Sequence, residues 1–423
     1  MAIPAKAGTT SEPHQNSDDI GLVPSAGFET TTNKLRLKLT AEKNSMGPLS
    51  GIRVIEIKGL GPGPYAGMLL ADLGAEVIVV ERSSRPHPVA GPSSKDPNSR
   101  GKKSIALNLK RSDGLAVLMK LLDSADVLFE GFRPGVAERL GFGPDDCLAR
   151  NERLVYGRMT GWGQHGPLAH AAGHDINYIS LTGSLAAIGG QEKPVPPLNI
   201  VGDYAGGSMF LVMGILAALL ESRESGKGQV IDAAITDGSA SLMTLFHGMS
   251  NAGLWANQRN SNMLDGAAHF YDVYETADNR FVSIGSIEPQ FYALLVEKAE
   301  LDPDVFRAQL DPRQWPELKQ KLADVIKQKT RDEWCTIMEG TDVCFAPVLD
   351  YTEAPEHPHN KARETYIEID GIQQPAPAPR FSRSTSSTPP APPAEGENTE
   401  AILADLGYDA EAINELRASG VLV

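Results

Sequence analysis

Cysteine is nearly absent from this chain. Three occur among 423 residues, Cys147, Cys335 and Cys344, and none forms a CxxC pair. So sparse and odd a count excludes a disulfide framework and fits a reducing, cytoplasmic setting. Positive charge is also scarce: 39 Lys and Arg stand against 54 Asp and Glu, for a net charge of −15. An acidic chain of this kind has no broad basic surface for phosphate backbones, so nucleic acid is excluded as a partner. A local basic pocket for an anionic small molecule is still permitted. No apolar run approaches the ~20 residues that cross a bilayer. The longest candidate, Met209–Leu220, is read as a buried helix, and no membrane association is expected. There are no internal repeats.

What is present is the composition of a globular protein, 41% hydrophobic and 22% charged, in a chain long enough for two or three domains. Residues 1–45 carry Glu12, Asp18, Asp19 and Glu29. They suit neither a signal nor a transit peptide, and are set aside as a disordered or non-native extension. From Met46 a strand pattern begins. Ile52–Ile57 is a β-branched run, a glycine turn follows, Tyr65–Leu73 is apolar at helical spacing, and Glu76–Glu81 is a second apolar run. This is a βαβ unit, which implies a parallel sheet with helices on its faces. Ser104–Leu109, Val127–Glu130 and Val155–Met159 continue it as strands. Gly114–Ala125, Val136–Leu140 and Gly206–Ser222 read as helices. Strand and helix signals follow at Val230–Ile235 and Asp237–Gly253. A hairpin is predicted around Asp278-Asn279, with helices at Gln290–Glu300, Pro316–Gln328 and Arg331–Glu339. Pro375–Pro379 and Ser382–Glu395 should be irregular, and two short helices close the chain. The expected fold is α/β: a Rossmann-like large domain over 46–229, a smaller α+β domain over 230–345, and a segment 346–423 returning to the first.

Two candidate sites emerge. In the first, Gly61-Pro-Gly-Pro-Tyr-Ala66 formally matches the dinucleotide fingerprint G-x-G-x-x-A, with Glu81 placed where a ribose-binding acid belongs. Pro62 and Pro64 remove amide donors that would face a pyrophosphate, which favours a plain βα turn. The second comprises His174 in Gly173-His-Asp-Ile-Asn-Tyr178, Asp203 in Val201-Gly-Asp-Tyr204 and Glu288 in Gly285-Ser-Ile-Glu-Pro289. Taken singly, these read as an ordinary histidine, a helix N-cap and a turn residue.

Taken together, Gly-His-Asp-Ile-Asn-Tyr, Pro-Pro-Leu-Asn-Ile-Val-Gly-Asp, Gly-Lys-Gly-Gln-Val-Ile-Asp-Ala-Ala, Glu130-Gly-Phe-Arg-Pro-Gly135 and Met159-Thr-Gly-Trp-Gly-Gln164 resemble the family III CoA-transferase superfamily. The histidine of Gly-His-Asp and the run Ile287–Tyr292 are similar to its α-methylacyl-CoA racemase branch. The resemblance implies that His174 and Asp203 are the two acid/base groups that invert the α-carbon of a 2-methylacyl thioester, with Glu288 orienting His174. Asp203 then needs a raised pKa, which burial supplies. Amides near Asp203, at the start of its helix, are the expected enolate donors. The CoA part of the substrate should meet Arg82, Leu107, Asn108, Leu109, Lys110, Gly131, Phe132, Arg133 and Arg139. Gly173, Asp175, Ile176, Asn177 and Tyr178 should line the pantetheine and thioester. Arg82 and Arg133 end predicted strands, where ligands sit in open α/β sheets. No metal or separate cofactor is implied. The resemblance also implies an interlocked homodimer, with each active site between the large domain of one subunit and the small domain of the other. Two alternatives remain at this level: a CoA-transferase that uses Asp203 as nucleophile, and a non-catalytic CoA-binding protein.

Overall fold

The computed structural model describes residues 47–82, 92–384 and 388–422, so the expectation for residues 1–45 lies outside the described residues. Six parallel strands form the main sheet: β1 (Arg53–Ile57), β2 (Glu76–Glu81), β3 (Lys102–Ala106), β4 (Val127–Glu130), β5 (Val155–Thr160) and β6 (Val230–Ala234). Their order is β3-β2-β1-β4-β5-β6, with Val54 opposite both Val77 and Val127. The order reverses between β1 and β4, so the carboxyl ends of these two strands open the crevice where open α/β sheets hold ligands.

Period-2 alternation divides the strand residues between two faces. Ile55, Ile57, Ile78, Val80 and Leu128 face one core, where Leu118 and Leu121 of the helix Ser112–Leu122 pack. Ile402, Leu403, Ile413 and Val421 complete that core, so the end of the chain packs on the sheet with which the chain began. Val54, Val77, Val127, Phe129 and Val155 face the other core. There they meet Leu70 of the helix Pro62–Asp72 and Leu211 and Ile215 of the helix Met209–Ser225.

A third core surrounds the antiparallel sheet β7 (Tyr271–Glu275), β8 (Phe281–Gly285) and β9 (Phe345–Val348), and is filled by Phe270, Leu295, Trp315, Leu322 and Trp334. Asn279, in the left-handed region at φ 57, turns the hairpin predicted at Asp278-Asn279. A further hairpin pairs β10 (Tyr366–Ile369) with β11 (Ile372–Pro375).

The sequence reading needs correction at several points. The parallel sheet runs past residue 230, because β6 is its edge strand. Asp237–Gly253 is two helices, Ile235–Leu242 and Thr244–Asn251, separated at Met243. The segment Met209–Leu220 is not buried all round: Met209, Met213 and Leu220 are more than half exposed. The continuous helical stretch Ile200–Ser225 is long and apolar enough to cross a membrane, but half of its most apolar window is buried inside the protein.

Candidate active site

Asp203 lies within a π-helical stretch, Ile200–Ser208, that leads into the helix Met209–Ser225. π-helical turns are rare and concentrate at functional sites. This one is locked from two sides. Ser208 Oγ lies 2.7 Å from the Pro62 carbonyl and 3.0 Å from that of Asp203. Tyr204 stacks on Tyr65, with ring centroids 4.3 Å apart. Both contacts tie the stretch to the helix that follows β1. Gly61, at φ 71, supplies the turn between them, and a side-chain carbon there would come within 2.9 Å of Asp203 Oδ2. The glycine turn therefore serves the carboxylate behind it, and Asp203 stands at the carboxyl end of β1.

His174 precedes the short helix Asp175–Ser180, and its amide donates to Asn177 Oδ1 at 3.0 Å. The imidazole is exposed. Asp175, by contrast, is buried, and its Oδ2 accepts the Asp203 amide at 2.6 Å. Gly202 is obligatory beside it, since a side-chain carbon there would lie 2.3 Å from the same oxygen. Asp175 Oδ1 has no hydrogen-bond partner among the described residues. Of the amides at the start of this helix, expected as enolate donors, that of Asp203 itself is committed to Asp175.

Burial pushes the Asp203 carboxyl up to about 6, and the adjacent Asp175 carboxylate adds to the rise. A hydrogen bond from Asn199 and the positive charge of His174 oppose it. Burial also raises Asp175, against the amides of Asp203 and Gly202. The Tyr178 hydroxyl donates to the Gly173 carbonyl, and its ring meets Trp162 edge-on at 4.8 Å. Burial foremost, then Asp203, raises the tyrosine, while Arg133 opposes the shift. His174, Asp175, Tyr178, Asp203 and Arg133 therefore share one electrostatic neighbourhood at the sheet's carboxyl edge. It holds a neutral-range acid beside a histidine, a pairing suited to proton transfer.

The other expected residues divide. Arg82, Lys110, Gly131, Arg133 and Arg139 are exposed. Ile176 is 42% exposed and Asn177 exposed, both accessible to a ligand. Leu107 is fully buried in the first core, and Leu109 and Phe132 pack against it, so Leu107 has no side chain to offer a ligand. Its backbone bridges Leu422, and the Asn108 amide donates to the Val421 carbonyl at 2.9 Å. Asn108 Oδ1 accepts the Lys110 amide at 3.2 Å. Glu288 is exposed at the start of the helix Pro289–Lys298, with its charge felt by Cys344. Its carboxylate makes no hydrogen bond or ion pair among the described residues, and nothing among them joins it to His174. Glu81 is also resolved. Its carboxylate lies 2.5 Å from Ser104 Oγ, pairs with Lys58 and is 3% exposed, so it has no free oxygen for a ribose.

Sequence reasoning missed Asn199 as a partner of Asp203, although it sits in the Pro-Pro-Leu-Asn-Ile-Val-Gly-Asp run. It also missed the buried Glu130, which ends β4.

Comparison with known proteins shows the family to which the chain belongs. The profile of CoA-transferase family III matches residues 49–399. The α-methylacyl-CoA racemase of Mus musculus is 45% identical over 379 residues, covering 88% of this chain and 97% of the mouse protein. The racemase of Homo sapiens is 43% identical over 385 residues, covering 88% and 97%. Among solved structures, that of Rv3272 from M. tuberculosis superposes with a TM-score of 0.71 at 27% identity, covering 85% of this chain and 99% of that one. The chain belongs to CoA-transferase family III.

Proposed function

We propose that the protein is an isomerase that racemises the α-carbon of 2-methylacyl-CoA thioesters by two-base proton transfer. The observation that carries this reading is the pairing of exposed His174 with Asp203, whose carboxyl titrates near 6 at the mouth of the sheet. The racemase relatives at 45% and 43% identity support it.

In one direction neutral His174 removes the α-proton, and the C–H electron pair moves into the thioester carbonyl to form an enolate. The Asp203 carboxyl group returns a proton to the opposite face, re-forming the C–H bond and the carbonyl. In the other direction Asp203 carboxylate takes the proton and the imidazolium returns one. Each turnover exchanges the proton on the pair and leaves the thioester intact, so no acid acceptor is consumed. The step uses no separate cofactor, since CoA is carried by the substrate.

The homodimer belongs to this proposal. Met209, Met213, Leu220, Leu242, Leu245 and Leu254 are large apolar side chains left exposed between residues 209 and 254, more than isolated surface residues require. Glu288, whose carboxylate has no partner among the described residues, would reach His174 from the second subunit. A cytoplasmic place in lipid metabolism completes the reading, in keeping with three free thiols.

Proton NMR of a 2-methylacyl-CoA in deuterium oxide tests it. Either epimer should exchange its α-proton and reach a near-equal mixture without a carboxylate acceptor. Strict dependence on an acceptor, with no α-exchange, would instead assign Asp203 the nucleophilic role of a transferase.

A further inference from the structure

A buried charge cluster lies directly beneath the Gly131–Arg133 turn, and the racemisation chemistry makes no use of it. Glu130 is the last residue of β4 and is fully buried. Its Oε2 accepts the Phe132 amide at 2.5 Å, so the carboxylate closes the turn that presents Arg133. Its Oε1 accepts from Arg158 Nε at 3.2 Å. Arg158, on β5, is 8% exposed, and its outer nitrogens reach Glu138 at 2.8 and 3.3 Å. Glu138 lies on the helix Val136–Leu140, next to Arg139. One guanidinium therefore ties the turn bearing Arg133 to the helix bearing Arg139.

We propose that Glu130 is the positioning residue of the Gly131–Arg133 turn and that it takes up a proton when the phosphates of a CoA thioester dock there. The proposal rests on the reading of that turn as part of the CoA site. Its basis is the charge balance of the cluster. Two carboxylates, Glu130 and Glu138, share one guanidinium, and Glu130 is out of contact with water. The neighbouring Tyr156 hydroxyl is committed to the Phe142 carbonyl at 3.1 Å and has no proton for Glu130. An anion arriving above a buried carboxylate disfavours its charged form, the more so in a low-dielectric surrounding. A protonated carboxyl retains an acceptor oxygen, so the Phe132 amide stays held and the turn keeps its shape in both states. The buried carboxyl already stands at about 7, raised by burial against the Phe132 amide and Arg158, so a modest perturbation completes the uptake at physiological pH. Because binding takes up a proton, affinity must weaken as pH rises, by at most ~tenfold per pH unit for one proton.

The test is calorimetric titration of the full chain with CoA itself, between pH 6 and 8, in buffers of different ionisation enthalpy. Wild-type protein should take up a proton on binding above pH 7 and bind CoA several-fold more weakly at pH 8 than at pH 7. E130Q keeps a carboxamide acceptor for Phe132 but cannot titrate. It should show no uptake, only the small release expected as the CoA phosphate loses its proton beside guanidinium groups, and an affinity at pH 8 at or above that of wild type. E130A loses the acceptor and should bind several-fold more weakly at every pH. R133A is the control for the site. If R133A binds CoA as wild type does, the turn is not part of the CoA site and the underlying reading fails. If R133A binds weakly while E130Q takes up as many protons as wild type, Glu130 is not the coupled group and the proposal is overturned. Circular dichroism melting confirms that each variant folds; should E130A not fold, the proton count of E130Q decides alone.

Discussion

Asp203 and Asp175 are two carboxyl groups that the fold brings together from separate elements, and their environments drive them to different tasks. Asp175 is buried and accepts the amide of Asp203, while Asp203 faces the opening with its pKa lifted to about 6. Asp175 adds to that lift through its charge, so an Asp175→Asn protein should hold Asp203 at a lower pKa. In the kcat/KM profile for epimerisation, the limb that reports Asp203 should therefore move to lower pH in this variant. An unmoved limb would mean that the Asp175 charge does not reach Asp203. Racemisation needs one proton on the Asp203–His174 pair, so the profile should be bell-shaped and its limbs belong to the pair. Asp203→Asn and His174→Ala should each slow epimerisation ~10²–10⁴-fold, the usual cost of a lost general acid or base. Wild-type rates in either would remove that residue from the mechanism.

The crevice that holds these residues depends on how β1, β3 and the helix Pro62–Asp72 are pinned together. Lys102 on β3 reaches Glu56 on β1 at 2.7 Å and the Pro64 carbonyl at 2.9 Å, with both charged side chains essentially unexposed. Burial raises the Glu56 carboxyl, and Lys102, first among its neighbours, opposes the shift. Lys102→Met strands that carboxylate and should destabilise the protein by about 3–5 kcal/mol in urea unfolding followed by circular dichroism. Without Lys102 native Glu56 holds its proton to still higher pH than in the wild type, so the deficit should be smallest in acid and widen once pH rises past the raised native value of the wild type. The exposed pair Lys321–Glu317 provides the contrast, and Lys321→Met should cost less than ~1 kcal/mol. Equal losses in the two variants would show that the buried pair carries no special weight.

At the scale of the molecule, the apolar surface along residues 209–254 bears on how the chain is completed. The helix Met209–Ser225 buries Leu211, Val212, Ile215, Ala218 and Leu219 against the sheet but leaves Met209, Met213 and Leu220 in solvent. On the proposed reading, a second copy would both cover this face and bring Glu288 to His174. Sedimentation equilibrium should give twice the chain mass of 45.3 kDa. Met213→Asp should shift the protein toward monomer and lower epimerisation with it, since each site would draw on both chains. A fully active monomer would refute the shared site.

Some of this was legible before any fold was known. The parallel sheet follows from β-branched runs at Ile52–Ile57 and Glu76–Glu81 joined by an apolar helix, a pattern that few other architectures satisfy. His174 and Asp203 could be named because their glycine-flanked motifs stay contiguous along the chain. What the linear sequence withheld were relations between distant residues. Gly61 looked like part of a nucleotide fingerprint until the fold placed Asp203 behind it. Leu107 read as a ligand contact, and only the fold showed that its side chain is buried in the core and its backbone bridges Leu422. The uniform apolarity of Met209–Leu220 reads as a helix buried on every side, and only the tertiary structure showed that Met209, Met213 and Leu220 are left exposed. Sequence alone determined the sheet and its helices and nominated His174 and Asp203, because these depend on local periodicity and short motifs. Tertiary structure decided the pKa of Asp203, the partner of its amide and the burial of Glu130, because burial and charge proximity arise only when segments far apart in sequence pack together.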